Sequence, residues 1–177
     1  MARTRIDIPE AVVDAMAYEF SKIEDALEAM AEGRVVIVVD DEQRENEGDF
    51  VIAAEKVTPE TIDFMITQGR GQLCMSIMPD LARRLDLRPM VEANTAPYRT
   101  QFTVPVDHAS CRTGISAEER AATIRSIIDP MTRPDDLVRP GHLFPLIAME
   151  GGVLRRPGTP RPPSTSRGWP GSSPRAS

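Results

Sequence analysis

The chain has 177 residues, of which 41% are hydrophobic and 27% are charged, as expected for one globular domain with a buried core. Its net charge of −6 argues against a broad nucleic-acid-binding or membrane-binding surface, but it allows a local pocket for a phosphorylated small molecule. No apolar run is long enough to cross a membrane, and the first residues lack the apolar core of a secretory signal. We therefore expect a cytoplasmic protein with neither nucleic acid nor membrane as a partner.

A helix and a strand are the first predicted elements. The segment 21–24, Ser-Lys-Ile-Glu, has the form of a capping box, and apolar residues follow it at helical spacing until Gly33. Val35 to Val39 is a continuous run of β-branched residues, which predicts a strand buried on both faces.

An acidic segment follows this strand, with six carboxylates and one arginine within residues 40–49. Carboxylates at this density repel one another, so they are tolerated on a solvated surface or around a cation, a cationic side chain or a proton. A second predicted strand, Phe50 to Ala54, holds the other end of the segment, which favours a functional loop over a merely solvated one. A calcium-binding EF-hand loop is opposed by Asn46 and Ile52 at its required glycine and final glutamate positions.

Helices and strands alternate along the rest of the chain. The patterns predict a helix from Thr58 to Gly69, a strand at Leu73 to Ile77 and a short helix from Pro79. A loop at 90–100, a strand at Gln101 to Val106 and a helix after a second capping box at 116–119 follow.

Several polar residues remain open to two interpretations. Thr113 and Gly114 precede a helix whose free N–H groups could receive an anion, although simple capping explains them as well. His142 is predicted on a constrained turn between prolines, where it could act in acid–base chemistry or be structural. His108 is predicted on a surface loop. Cys74 lies in an apolar stretch, which favours a buried core residue over a nucleophile.

The composition changes at residue 157. Residues 157–177 include six prolines and no acidic residue, so they are expected to be disordered. The predicted organisation is a leader at 1–20, one domain at 21–156 and this tail at 157–177. Because the change is abrupt and interrupts a stretch that reads as ordered, we expect a shift of reading frame near Gly158. A nucleotide sequence in which neither other frame encodes a continuation of the domain would contradict this expectation.

Four motifs, in order, resemble those of the 3,4-dihydroxy-2-butanone 4-phosphate synthases. They are Val-Val-Asp-Asp-Glu-Gln-Arg-Glu-Asn-Glu-Gly-Asp at 38–49, Thr-Gly-Ile-Ser-Ala at 113–117, Arg-Pro-Gly-His at 139–142 and Gly-Gly-Val-Leu-Arg-Arg at 151–156. The resemblance implies a compact α/β sandwich with a mixed sheet in a single domain. It also implies a homodimer, and the family forms the first half of bifunctional proteins with GTP cyclohydrolase II.

The resemblance implies a lyase of riboflavin biosynthesis that converts the sugar phosphate ribulose 5-phosphate to 3,4-dihydroxy-2-butanone 4-phosphate and formate. Mg²⁺ or Mn²⁺, and no organic cofactor, would be used. Catalytic roles are implied for His142, Asp49 and Glu45, with Glu45 also a metal ligand. Substrate contacts are implied for Arg44, Glu45, Asp49, Arg156, Thr113 and Cys74.

The chain departs from the family pattern at Thr159. The family has a histidine there as its second metal ligand, followed by a further helix and strand with an essential glutamate. The C-terminal part of the domain is therefore expected to be missing, and apolar surface that it covers to be exposed. The alternative to an active lyase is a truncated, non-catalytic product of the same gene that at most binds ligand or dimerises.

Overall fold

A computed structural model describes residues 20–39 and 47–148 of the chain. Its α-helices are α1 (Ile23–Ala31), α2 (Pro59–Gly69), α3 (Pro79–Arg84) and α4 (Ala117–Ile128). Its strands are β1 (Val36–Val39), β2 (Gly48–Val51), β3 (Cys74–Ile77), β4 (Val106–His108) and β5 (Leu137–Ile147). Two short 3₁₀ helices lie at Ala54–Lys56 and Pro134–Asp136. None of the helices within these ranges is both long and apolar enough to traverse a bilayer.

The strands of the described residues form two sheets. In the three-stranded sheet β5 is central, parallel to β3 and antiparallel to β4, so the predicted mixed sheet is confirmed. The other sheet is the antiparallel pair of β1 and β2, in which Val39 lies opposite Gly48. The acidic segment therefore connects the two strands of a hairpin, although its residues 40–46 lie outside the described ranges.

The main core lies where α2 and α4 pack together and α4 covers β4 and β5. Ile62 of α2, Ile127 of α4 and Leu143 of β5 have no exposed surface. Complete burial of a side chain of this size contributes about 1.5–3 kcal/mol to folding, so this layer holds β4 and β5 in register.

Local capping chemistry explains why α2 begins where the sequence predicts. The Thr58 hydroxyl accepts the N–H of Thr61 at 3.2 Å, and the Thr61 hydroxyl accepts the N–H of Thr58 at 2.9 Å. Pro59 occupies the first turn, where its missing N–H has no cost.

The N-terminal part of the fold differs from the prediction in two respects. Helix α1 is present, but Lys22 is its N-cap without a side-chain bond, and Ile23 is 73% exposed instead of buried. Strand β1 is not buried on both faces, because Ile37 and Val39 remain 65% and 43% exposed. Only alternate side chains of a two-stranded ribbon can face the protein, and a run of valines does not reveal how many layers cover it.

The two histidines also occupy positions other than those predicted. His142 lies within the eleven-residue strand β5 rather than on a turn, and His108 is a partly buried residue of β4 rather than of a surface loop. The predicted strand at Gln101 to Val106 is replaced by isolated bridges at Phe102 and Thr103 before β4 begins. Because Val106 pairs with Leu143 while Asp107 pairs with Val138, residues 139–142 form a bulge in β5.

Candidate functional site

Asp107 and His142 form a hydrogen-bonded pair across β4 and β5. One carboxylate oxygen of Asp107 accepts the backbone N–H of His142 at 2.8 Å, and the other lies 2.8 Å from His142 Nδ1. The Asp107 side chain is 7% exposed, whereas that of His142 is 43% exposed. A carboxylate at Nδ1 favours the tautomer with hydrogen on that nitrogen, which leaves Nε2 able to accept a proton.

Gly141 allows this pair to form. A Cβ at this position would lie 2.1 Å from the carbonyl carbon of Val106 and 2.3 Å from the backbone nitrogen of Asp107. The Gly141 N–H donates to the carbonyl oxygen of Pro105 at 2.9 Å. The bulge of β5 therefore approaches β4 more closely than a residue with a side chain could, which brings the His142 backbone to the Asp107 carboxylate.

A loop that precedes α4 covers the other side of the Asp107 carboxylate. Gly114 in this loop has φ of +76°, and a Cβ there would lie 1.9 Å from Asp107 Oδ2. Both the left-handed backbone and the lack of space require glycine at this position. The Thr113-Gly114 motif and the histidine of the Arg-Pro-Gly-His motif are therefore brought together around one buried aspartate.

The N–H groups of this loop are already bonded, so of the two interpretations that the sequence left open, capping is supported and a directly bound anion is not. Those of Arg112 and Gly114 donate to the Glu119 carboxylate at 2.5 and 2.9 Å, and the Thr113 hydroxyl donates to it at 3.0 Å. These bonds, above all that from the Arg112 N–H, lower the pKa of Glu119 from 4.5 to about 2. Ser116 caps α4 by accepting the Glu119 N–H at 3.1 Å.

Cys74 is the first residue of β3 and lies opposite Phe144 of β5. Burial, with a smaller contribution from the negative charge of Asp49, raises the pKa of the Cys74 thiol from 9.0 to about 11. The thiol is thus neutral at physiological pH, as a residue that lines a pocket rather than a nucleophile would be.

Asp49 is the one catalytic candidate of the acidic segment that lies within the described residues. It lies on β2 opposite Val38 and lines a cleft of about 140 Å³, together with the C-terminal half of α2 and the segment before β3. Its negative charge is the one that adds to the raised pKa of the Cys74 thiol.

Four of the predicted site residues lie within the described ranges: Asp49, Cys74, Thr113 and His142. Arg44, Glu45 and Arg156 lie outside them, as do nearly all of the predicted leader and the whole tail. Sequence reasoning missed Asp107 and the loop contacts of Glu119. An acidic residue next to the predicted strand at 101–106 was the available signal for Asp107, but its partner His142 is 35 residues away.

Within residues 20–39 and 47–148, no three His, Cys, Asp or Glu side chains are close enough together to hold a metal ion. The six carboxylates of residues 40–49, which include Asp49, are hard oxygen donors that fit Mg²⁺ and Mn²⁺ rather than softer metals. A site of this kind would draw on Glu45, outside the described ranges.

The sequence profile of the family described as 3,4-dihydroxy-2-butanone 4-phosphate synthase matches residues 24–161. The chain is 59% identical over 139 residues to the "Riboflavin biosynthesis protein RibBA" of Bacillus mycoides and 60% identical to that of Bacillus cereus. Each alignment covers 78% of this chain and 35% of the relative, so the chain spans about a third of the relatives' length.

Solved structures of this family resemble the fold. A 3,4-dihydroxy-2-butanone 4-phosphate synthase in complex with two magnesium ions superposes with a TM-score of 0.75 at 44% identity, over 77% of this chain and 64% of that one. The two-domain synthase RibBX from A. baumannii gives 0.73 at 44% identity, over 77% and 40% of the two chains.

Proposed function

Because this chain belongs to the 3,4-dihydroxy-2-butanone 4-phosphate synthase family, we propose that it converts ribulose 5-phosphate to 3,4-dihydroxy-2-butanone 4-phosphate and formate in riboflavin biosynthesis. The observation that carries the proposal is the Asp107–His142 pair, with a solvent-accessible imidazole held in one orientation by a buried carboxylate. A reaction that starts by removing a proton next to a ketone needs a base of this type.

In the proposed reaction, His142 Nε2 takes or returns the proton. Asp107 holds the ring through Nδ1 and stabilises the imidazolium that forms when Nε2 is protonated. Asp49 contacts the substrate hydroxyls and serves as a second acid or base. Cys74 contacts the substrate through its neutral thiol, which adds no charge.

The phosphate group of the substrate is assigned to arginines. Arg44 and Arg156 have the planar guanidinium that pairs with phosphate oxygens. Thr113 is assigned to the same end, where its hydroxyl would turn from the Glu119 carboxylate to donate to a phosphate oxygen. Glu45 is the proposed ligand of Mg²⁺ or Mn²⁺. When bound, a divalent cation supplies positive charge beside the oxygens that become negative during proton removal. No organic cofactor is proposed, because the reaction exchanges neither electrons nor groups with a carrier.

We further propose a cytoplasmic homodimer that binds neither nucleic acid nor membranes. The exposed apolar side chains of Ile37 and Val39 support a covering partner surface. Sedimentation of the purified chain at the mass of a monomer would refute the dimer.

Formate release tests the activity. The purified chain, with ribulose 5-phosphate and Mg²⁺, should release one formate per sugar phosphate consumed, as measured with formate dehydrogenase. EDTA should stop the release and added Mg²⁺ should restore it. Release that persists in EDTA would refute the metal, and no release under any condition would refute the lyase.

A second candidate function rests on Thr159, which occupies the position of the family's second metal-ligating histidine. Threonine offers only a neutral oxygen, so a metal held chiefly by Glu45 binds more weakly. In this case the chain binds the sugar phosphate without turnover. Calorimetry that shows binding in the absence of formate release selects this candidate, whereas turnover equal to that of a chain with a restored family C-terminus excludes it.

A further inference from the structure

We propose that Glu119 is a positioning residue, whose carboxylate fixes the loop 112–114 against Asp107 and so holds the Asp107–His142 pair in its reactive orientation. The kinetic part of this inference rests on the proposed function. The structural part stands without it, because the orientation of an imidazole can be measured in the absence of turnover.

The Glu119 carboxylate makes more contacts to the loop than a helix cap requires. Oε1 accepts the N–H groups of Arg112 and Thr113 at 2.5 and 3.3 Å. Oε2 accepts the N–H of Gly114 at 2.9 Å and the hydroxyls of Thr113 and Ser116 at 3.0 and 3.3 Å. Both oxygens are thus used on one short segment, and three consecutive N–H groups point at the same carboxylate.

The loop transmits this constraint to Asp107 through direct packing. The site where a Cβ of Gly114 would stand is 1.9 Å from Asp107 Oδ2, so the Gly114 backbone lies against the oxygen that faces His142 Nδ1. Gly114 is buried, and the Asp107 side chain is 7% exposed. If the loop moved away, water would reach this oxygen and compete with the imidazole for it.

The contact pattern predicts that an isosteric amide cannot replace the carboxylate. In Glu119→Gln, one orientation of the amide places its NH₂ against the N–H groups of Arg112 and Thr113. The other orientation places it against the N–H of Gly114, so a donor faces a donor in either case. Glu119→Asp keeps two acceptor oxygens and should keep part of the constraint.

The test uses the full chain labelled with ¹⁵N-histidine. It contains only His108 and His142, and the variant His108→Gln assigns their signals. In the unmodified chain, His142 should show the tautomer with hydrogen on Nδ1. Glu119→Gln should shift its ring signals towards the exchange-averaged values of free histidine, and Glu119→Asp should shift them less.

Two control variants separate positioning from general stability. Glu118→Gln removes an equal charge from the exposed residue that precedes Glu119 in the same helical turn, and it should leave the His142 signals unchanged. Ser116→Ala removes the cap of α4 but retains the Glu119 carboxylate. If Ser116→Ala shifts the His142 signals as much as Glu119→Gln at an equal loss of thermal stability, Glu119 acts through the helix alone and the proposal is overturned.

Hydrogen exchange in the unmodified chain tests the proposal without a variant, so it applies even if Glu119→Gln does not fold. The amide protons of Arg112, Thr113 and Gly114 should exchange more slowly than those of an open loop. If all three amides exchange at the rate of an unstructured peptide, Glu119 does not fix the loop 112–114 and the proposal is overturned.

If the chain releases formate, Glu119→Gln should lower kcat by about tenfold and raise KM by a smaller factor, because Thr113 alone of the proposed substrate contacts lies in the loop 112–114. Glu119→Asp should recover part of the loss in kcat. Unchanged kcat in a variant whose His142 signals have shifted would overturn the kinetic part alone. Absence of formate release from the unmodified chain would count against the proposed function and leave the ¹⁵N result to decide the structural part.

Discussion

Replacement of Asp107 by asparagine isolates the role of the buried carboxylate. The amide oxygen can still accept the His142 N–H, as Oδ1 does now at 2.8 Å. The amide nitrogen would then replace the oxygen that lies 2.8 Å from His142 Nδ1. A donor at this position requires Nδ1 without hydrogen, so the proton moves to Nε2 and the imidazole can no longer accept a proton there.

The size of the effect follows from the step that is lost. General acid–base catalysis contributes roughly 10²–10⁴-fold, and we expect Asp107→Asn to lower kcat by about 10³-fold, which corresponds to roughly 4 kcal/mol of the activation barrier. The fold should be largely retained, because the backbone bond to His142 persists and the two side chains have the same shape.

Formate release measures kcat, and ¹⁵N-histidine spectra report the tautomer of His142 in the same preparation. Asp135→Asn, at an exposed position of the 3₁₀ helix before β5, is a matched control that should change neither. A kcat within twofold of the unmodified chain, together with reversal of the tautomer, would refute the role assigned to His142. An unchanged tautomer would refute the geometry itself.

Three further predictions concern stability and reactivity. Gly141→Ala should lower the free energy of unfolding by about 3 kcal/mol or more, measured by urea denaturation, because its Cβ would stand 2.1 Å from the Val106 carbonyl carbon; an unchanged midpoint would contradict the close approach of β4 and β5. The rate at which iodoacetamide alkylates Cys74, measured by peptide mass spectrometry, should increase with pH up to about 11. At pH 7 this rate should be roughly 100-fold lower than that of a thiol with pKa 9.0, and a rate that stops increasing near pH 9 would exclude the raised pKa. Glu119 has a folded pKa of about 2, below its ordinary 4.5, so the stability that it contributes is complete above pH 4.5 and is lost as the pH falls towards 2. The difference in Tm between the unmodified chain and Glu119→Gln should therefore shrink over this range. A constant difference would show that the carboxylate charge is not involved.

Elements that depend on neighbouring residues were predictable from the sequence. Thr58 and Pro59 mark the start of α2, and Ser116 marks that of α4, because a cap bonds to groups only three residues away. The four short motifs were sufficient to indicate the family and, through that resemblance, the α/β class. His142 was identified in the same way, as part of a short motif.

Features that depend on strand pairing were not predictable. The bulge at 139–142 exists because β4 and β5 meet at that register, so the sequence alone suggested a turn for His142. Asp107 became a candidate only when the fold placed it beside a residue distant in sequence. The exposure of Ile37 was likewise misjudged, because the same β-branched run occurs in strands covered on one face or on both.

Asp49 and His142 belong to structural units of unequal stability. Asp49 lies on a ribbon of two strands, a structure that is marginally stable by itself, whereas His142 lies on the central strand of the other sheet. Native proteins open locally at free energies below that of global unfolding. We therefore expect the ribbon with Asp49 to open at a lower free energy than the sheet, in which the histidine and its aspartate stay paired.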